Sequence, residues 1–192
     1  MSNIEFKNIK VYGLEESIKA SSMPHNLNDI DYSDITTKDM FRAVKLGKAK
    51  SGIGHDCYLK GVVVQVDIKA PQMWWQQAQR YHWFDFVSSQ SKMHSIINID
   101  FETNLTYYVD AIVKKRIIEL QKKYLEKPIY ENFRILLDSS PIGTLITARI
   151  TTNYLQLKTM YYQRKEHTLD EWSIDFVNFC KGLPRFLELT NF

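Results

Sequence analysis

The residues best suited to chemistry lie between Gln76 and His94, where Gln77, Arg80, His82, Asp85, Gln90, Ser91 and Lys92 are interleaved with Tyr81, Trp83, Phe84 and Phe86. An aromatic stripe is ordinarily core. Amides, an arginine and a histidine buried beside it need hydrogen-bonding partners. Two readings follow: a core helix whose Gln/Ser face is wet, or a pocket that stacks a planar ring and bonds to its edge, as flavins and nucleobases require.

Other chemistries find less support. Ser51-Gly-Ile-Gly-His55 lacks both the lysine of a phosphate loop and the third glycine of a dinucleotide fingerprint, so it reads as a tight turn before a strand. Cys57 and Cys180 form no CxxC pair, which excludes a disulfide framework and a cysteine zinc site and leaves a reduced, intracellular chain as the expectation. No two of His25, His55, His82, His94 and His167 share one helical turn, so no metal is expected. No Cys–His or Ser–His–Asp set suggests a protein nucleophile. Lys114, Lys115, Lys122 and Lys123 form a basic face. With 25 Lys+Arg against 22 Asp+Glu and no RNP or helix-turn-helix pattern, that face reads as solvated rather than as a nucleic-acid surface.

The elements that must position these residues suggest an α+β class. At 192 residues, 44% of them apolar and 24% charged, the chain can bury a core and is expected to form one domain over 1–192. Residues 4–12 read as a strand ended by Gly13, 14–21 as a short helix, and 24–37 as loop. Lys38–Leu46 reads as a helix with Gly47 at C′. Cys57–Ile68 reads as a strand with Tyr58, Lys60, Val62, Val64, Val66 and Ile68 on one face. Pro71 is suited to open a helix running from Gln72 to about Ser91. Further helices are expected over 106–127, 129–137, 151–164 and 169–181, with some strand within 142–150. No run approaches the roughly 18 apolar residues of a membrane span. The charged start, Met1-Ser-Asn-Ile-Glu-Phe-Lys, has no apolar signal core, so a cytoplasmic location is expected.

The region around Tyr81–His94 resembles the flavin-dependent thymidylate synthases, the ThyX family. Their signature R-H-R-x-x-S-x-N-E-x-S-x-R-Y falls on Tyr81 to His94, with His82 and Ser91 on identical positions. Upstream, the family's Glu-His pair, strand and helix parallel Gly54-His55, the Cys57–Ile68 stretch and the Gln72 helix. Downstream, its P…T…N-x-R-x-L…L-R…W pattern meets Pro141, Thr144, Asn153, Leu157, Arg164 and, after one inserted residue, Trp172. The resemblance covers about residues 50–180.

It implies FAD as cofactor, with NADPH and methylenetetrahydrofolate as co-substrates, and methylation or hydroxymethylation of a dUMP-like pyrimidine nucleotide in a homotetramer with shared sites. On that reading His82 and Gln90 meet the flavin edge or ribityl chain, and Asn153 contacts the flavin or supports it. Ser91, Lys92 and Arg164 meet the nucleotide phosphate, with Arg80 in partial compensation. The departures are chemical: the signature arginines are replaced by Tyr81, Trp83 and Met93, its Asn-Glu by Ser88-Ser89, its first serine by Phe86 and its tyrosine by His94. Each lost guanidinium removes charge-assisted bonds worth about 1.5–3 kcal/mol apiece, and lysine returns only a point charge. The alternative is a non-catalytic protein of the same fold that binds a nucleotide or a protein partner. Simpler roles also stand for single residues: Asn153 as a helix cap, Ser91 bonding back to a helix carbonyl, Arg164 in a surface pairing with Glu166 or with a partner chain, and Trp172 as core.

Overall fold

The computed structural model describes residues 4–50 and 52–190; Ser51 of the glycine-rich turn and the start of the N-terminal segment, Met1–Asn3, lie outside them. Four strands, β1 (Glu5–Tyr12), β2 (Val63–Pro71), β3 (Asp85–Ser89) and β4 (Leu145–Asn153), form an antiparallel sheet in the order β1-β2-β4-β3. Strict alternation makes the sheet two-faced. Val64, Val66, Ile68 and Ala70 of β2, with Ala148 and Ile150 of β4, are buried on one face. That face is covered by α1 (Leu14–Ala20), α2 (Thr37–Gly47), α3 (Gln72–Ala78), α7 (Tyr154–Arg164), α8 (Val177–Gly182) and α9 (Phe186–Thr190), which contribute Trp74, Leu157, Phe179 and Phe186 among others to a common core. The other face is polar. There Arg149 bonds Asp67 (3.0 Å) and the carbonyl of Asn8 (3.2 Å), while Asn8 bonds Asp67 (2.6 Å).

A smaller core of Ile96, Phe101, Ile117, Leu120 and Leu136 lies between α5 (Ala111–Glu126), α6 (Tyr130–Asp138) and the segment that follows the single turn α4 (Lys92–Ser95). Gln121 fastens that segment by donating to the carbonyls of Ile96, Ile97 and Ile99 (3.1, 3.2 and 2.8 Å). No helix among the described residues is long and apolar enough to cross a membrane.

Several sequence expectations need correction. Cys57–Gly61 is a 3₁₀ turn, and the strand begins only at Val63. The glycine at Gly61 is required there because a Cβ would meet the Ser17 hydroxyl at 2.3 Å. Gly47 is the last residue of α2 rather than a left-handed C′ residue; a Cβ there would sit 1.9 Å from the Leu189 carbonyl, so glycine allows α9 to dock. The 106–127 helix starts at Ala111, where the Asp110 carboxylate caps Ile112 N–H (2.8 Å). The 151–164 helix gives its first three residues to β4.

The largest correction concerns Gln72–Ser91. The helix ends at Ala78, the chain turns through residues 79–84, and Asp85–Ser89 becomes the edge strand β3. Pro71 closes β2 and stands at the N-cap, while the first free N–H groups of α3 go to the carbonyls of Thr144 (3.1 Å) and Ile142 (3.2 Å).

Two charged clusters pin the periphery. Lys158, with a side chain 0% exposed, donates to Asp56 (2.7 Å) and to the carbonyls of Gly47 (2.8 Å) and Ala49 (2.7 Å), so α7 is tied to the chain on both sides of the glycine-rich turn. Asp39 accepts from the Thr36 N–H and hydroxyl (3.0 and 2.6 Å) and from Arg42 (2.7 Å) in a capping box.

Removing one partner of a buried pair strands the other, so Asp56→Ala is expected to cost about 3–5 kcal/mol, read as a lowered urea midpoint at unchanged slope. Bonds from Thr36, then Arg42, hold the Asp39 carboxyl well below its ordinary value of 3.8. Its folded pKa is thus depressed, and its contribution is full above the unfolded pKa and lost as pH falls. The stability gap between wild type and Asp39→Asn is expected to begin closing below about pH 4.

Candidate functional site

The turn of residues 79–84 is the hub of the site. Trp83 adopts φ +60°, a left-handed conformation that a bulky residue holds only when its surroundings impose it. The conformation sends Phe84 into the core and leaves the Trp83 side chain outside, 65% exposed. Trp83 borders a cavity of about 340 Å³ lined also by Lys60, Asn153, Leu155, Gln156 and Thr159. Asn153 ends β4 and caps α7, its Oδ1 accepting from Gln156 N–H (2.9 Å). The simpler role of helix cap is therefore real, and among the described residues its amide N–H₂ forms no hydrogen bond.

Arg164, in the last turn of α7, reaches back to the same turn. Its Nε donates to Tyr81 Oη (2.7 Å), and its guanidinium lies 4.4 Å from the Trp172 ring centroid and 5.4 Å from that of Tyr81. Gln77 links the group by accepting from Trp172 Nε1 (2.9 Å) and, at the long limit of 3.5 Å, from Arg164 Nη1. Trp172 is thus core and platform at once. The pairing of Arg164 with Glu166 does not form; Lys165 takes Glu166 instead (3.9 Å). Close by, burial and then the Arg164 cation push the His167 pKa down, with Glu171 opposing. Leu169 N–H donates to His167 Nδ1 (3.1 Å), leaving the proton of the neutral ring on Nε2.

The other candidates are placed elsewhere. Gln90 is bound on both sides to Thr147: its N–H reaches the Thr147 carbonyl (2.9 Å) and its Oε1 accepts the Thr147 N–H (2.9 Å). Lys92 donates to Gln72 Oε1 (3.0 Å), and desolvation pushes its pKa down. Ser91 precedes α4, and its carbonyl, not its hydroxyl, serves the turn by accepting from the Ser95 hydroxyl (2.9 Å). Arg80 and His82 are exposed.

The seven candidates are therefore spread out: Arg80 and His82 stand on the 79–84 turn, and Arg164 bonds to Tyr81 of that turn. Asn153 lines the cavity beside Trp83 at the other end of α7 from Arg164, about 16 Å away at 1.5 Å per residue. Gln90, Ser91 and Lys92 lie near the opposite end of β4 from Asn153. Six residue steps along β4 lead from Thr147 to Asn153, roughly 20 Å at 3.4 Å per residue. Among the described residues no hydrogen bond or ion pair joins any two of the seven. Gln77, Tyr81, Lys60 and Gln156 were not foreseen as site residues. The spacing of four between Gln77 and Tyr81 hinted at a shared partner, but nothing in the sequence pointed to Trp172 as that partner.

This arrangement of sheet and helices has solved counterparts. Thymidylate synthase X (ThyX) from Helicobacter pylori, solved with FAD and dUMP, superposes with a TM-score of 0.75 at 15% identity over 99% of this chain and 97% of that one. The UMP/dUMP methylase PolB from Streptomyces cacaoi, bound with 5-Br dUMP, superposes with a TM-score of 0.70 at 11% identity over 98% and 93%. The chain has the ThyX fold. No family model matches its sequence, and no curated protein matches it. The α+β class expected from the sequence holds, and the ThyX resemblance holds at the level of the fold.

Within the ThyX fold of this chain, Asn153 is a structural cap before it is anything else. Asn153→Ala is expected to lower stability by about 1 kcal/mol, measured by urea denaturation, whereas His82→Ala, at an exposed position, is expected to leave the midpoint within about 0.5 kcal/mol.

Proposed function

We propose that the chain is a flavin-dependent enzyme acting on a dUMP-like pyrimidine nucleotide, by methylation or hydroxymethylation, with its 192 residues working as one domain in a homo-oligomer, a tetramer being favoured. The observation that carries this reading is the Arg164 guanidinium. Its Nε and one face are occupied by Tyr81 and Trp172 and its Nη1 reaches Gln77 only at 3.5 Å, so its plane is fixed before any ligand arrives, and Nη2 has no partner among the described residues. A pre-oriented guanidinium is the preferred group for bidentate phosphate recognition. The ThyX and PolB structures support the nucleotide class, since their ligands are dUMP and a brominated dUMP. Exposed Tyr107, Tyr108 and Ile112 support an oligomer by leaving apolar surface for a second copy.

The residues present fit part of a flavin. The cavity beside Trp83 lies near the lower end of the roughly 300–1,000 Å³ typical of small-ligand sites, enough for a ring system but not for all of FAD. There Trp83 offers an aromatic face, the Asn153 and Gln156 amides offer edge contacts, and Lys60 offers a cation for phosphate, with exposed His82 next to Trp83. FAD reduced by NADPH would supply electrons, and methylenetetrahydrofolate the carbon. The chain's own residues orient and bind: Arg164 fixes the nucleotide phosphate, and the wall of Trp83 and Leu155 excludes water from one side of the ring.

A second reading, a nucleotide-binding protein without catalysis, is favoured by Gln90 and Lys92, whose polar ends are already engaged by Thr147 and Gln72. Both readings are tested on the purified chain incubated with FAD and dUMP. The enzyme reading expects flavin absorbance retained through gel filtration and release of tritium from 5-tritiated dUMP in the presence of NADPH and methylenetetrahydrofolate. Arg164→Ala is expected to weaken dUMP binding by about tenfold, the equivalent of one charge-assisted contact, with flavin retained. A colourless protein that dUMP nevertheless stabilises thermally would leave the second reading. Neither flavin uptake nor a thermal shift would remove both.

A further inference from the structure

A second cavity, of about 300 Å³, opens where the chain enters its last long helical stretch, and its lining includes Met73, Thr106, Tyr108, Asp170 and Glu171. Glu171 is 4% exposed, yet among the described residues its carboxylate forms no hydrogen bond or ion pair. Of the basic residues nearest in sequence, His167 is the one that feels the Glu171 charge, but its ring is pushed toward neutrality by burial and by Arg164. Among the described residues it forms no hydrogen bond to the Glu171 carboxylate. Lys165 pairs with Glu166, and the Arg164 guanidinium lies on Tyr81 and Trp172. The start of the helix does not cap it either, because the N–H groups of Trp172 and Ser173 both go to the Leu169 carbonyl (2.9 and 3.1 Å). Among the described residues the sealed side-chain polar atoms lacking a partner are Trp74 Nε1 and Thr152 Oγ1. The Glu171 oxygens are not among them, so the carboxylate keeps some contact with the surface, and Glu171 is one of the residues that line the cavity.

A carboxylate is an acceptor only, and one held away from bulk water without a donor is incomplete. The walls around it repeat the demand. Asp170 adds a second negative charge, no cationic side chain lines the cavity, Thr106 and Thr168 offer hydroxyls, and Met73, Leu169 and the Tyr108 ring offer apolar contact. An anionic floor beneath an aromatic and thioether rim is complementary to a cation on a short apolar stem.

We propose that this cavity receives a guanidinium or primary ammonium group, which pairs with Glu171 while its alkyl stem lies against Met73 and Tyr108. The cation can come from a free small molecule or from a lysine or arginine side chain of a second copy of this chain; the chemistry at Glu171 is the same. The inference does not rest on the nucleotide reading, since none of its residues lines the cavity beside Trp83 or touches Arg164.

The test uses the full chain, agmatine as cationic probe and valeramide as neutral control, with calorimetry for binding and light scattering for mass. Wild type is expected to bind agmatine and not valeramide, with Glu171→Gln weakening agmatine by about tenfold or more, as loss of a charge-assisted pair requires. If Glu171→Gln loses agmatine at unchanged mass, the source is a free cation. If wild type is an oligomer that Glu171→Gln or added agmatine dissociates, the source is the second copy. Failure of wild type to bind agmatine, together with an unchanged mass for Glu171→Gln, overturns the proposal. Should Glu171→Gln fail to fold by circular dichroism, Tyr108→Ala, at an exposed position, is put through the same two measurements and is expected to weaken agmatine severalfold.

Discussion

A guanidinium resting on an indole is the contact from which the rest of the site takes its geometry. Arg164 comes from the end of α7, Trp172 from the next helical stretch, and Tyr81 and Gln77 from the end of α3 and the turn beyond it. Contacts of this kind are worth about 0.5–2 kcal/mol, more as water is excluded. The Trp172 ring is fully buried and stacks on Trp74 at 4.5 Å, so the platform cannot tilt without disturbing the core. The cation is thus placed by packing rather than by a flexible surface side chain. That is the condition under which a single arginine can do part of the work that the family signature gives to several.

The same constraint accounts for the break in the aromatic stretch. A continuous helix from Gln72 to Ser91 would leave the outer edge of β4 unpaired and the Arg164 guanidinium without Tyr81. Ending the helix at Ala78 gives Asp85–Ser89 to β4 and returns Tyr81 to Arg164. The local cost is a tryptophan at positive φ. After the buried Phe84 the strand is exposed along its whole length, and the Phe86 ring leans back on Trp75, at 5.0 Å. Strand pairing here outweighs local helical preference.

How much of this was legible depended on the range of the signals. β1 with its Gly13 ending and the helix expected over 129–137 follow from local periodicity and turn residues; the strand forms over Glu5–Tyr12 and the helix over Tyr130–Asp138, one residue later than read. The order of short motifs carried the ThyX likeness even though the identities involved are only 11–15%. The Cys57–Gly61 turn was hidden because its alternation matches that of the strand it feeds, and only the close approach of Ser17 distinguishes them. In the candidate site, Asn153 and Arg164 were implied by the ThyX resemblance. Gln77 and the second role of Trp172 were not, because the contact that gives them meaning joins residues 95 apart. A pairing of that range has no periodic trace.

The departures from the family signature also acquire a physical sense. Where that pattern places arginines at Tyr81 and Trp83, this chain has rings, one anchoring Arg164 and the other bordering the cavity near Asn153. Charge has been exchanged for stacking surface at both positions. Stacking tolerates many flat heterocycles, while guanidinium forks select phosphate and carboxylate by geometry. At the far end of β4, Gln90 and Lys92 have turned inward to the protein's own backbone and amide groups. A ligand that needed them would first have to break those bonds, whereas one that needs Arg164 finds it already oriented. The preorganised groups therefore lie at the 79–84 turn, where packing holds them open, rather than at the α4 end, where the protein's own bonds have closed them.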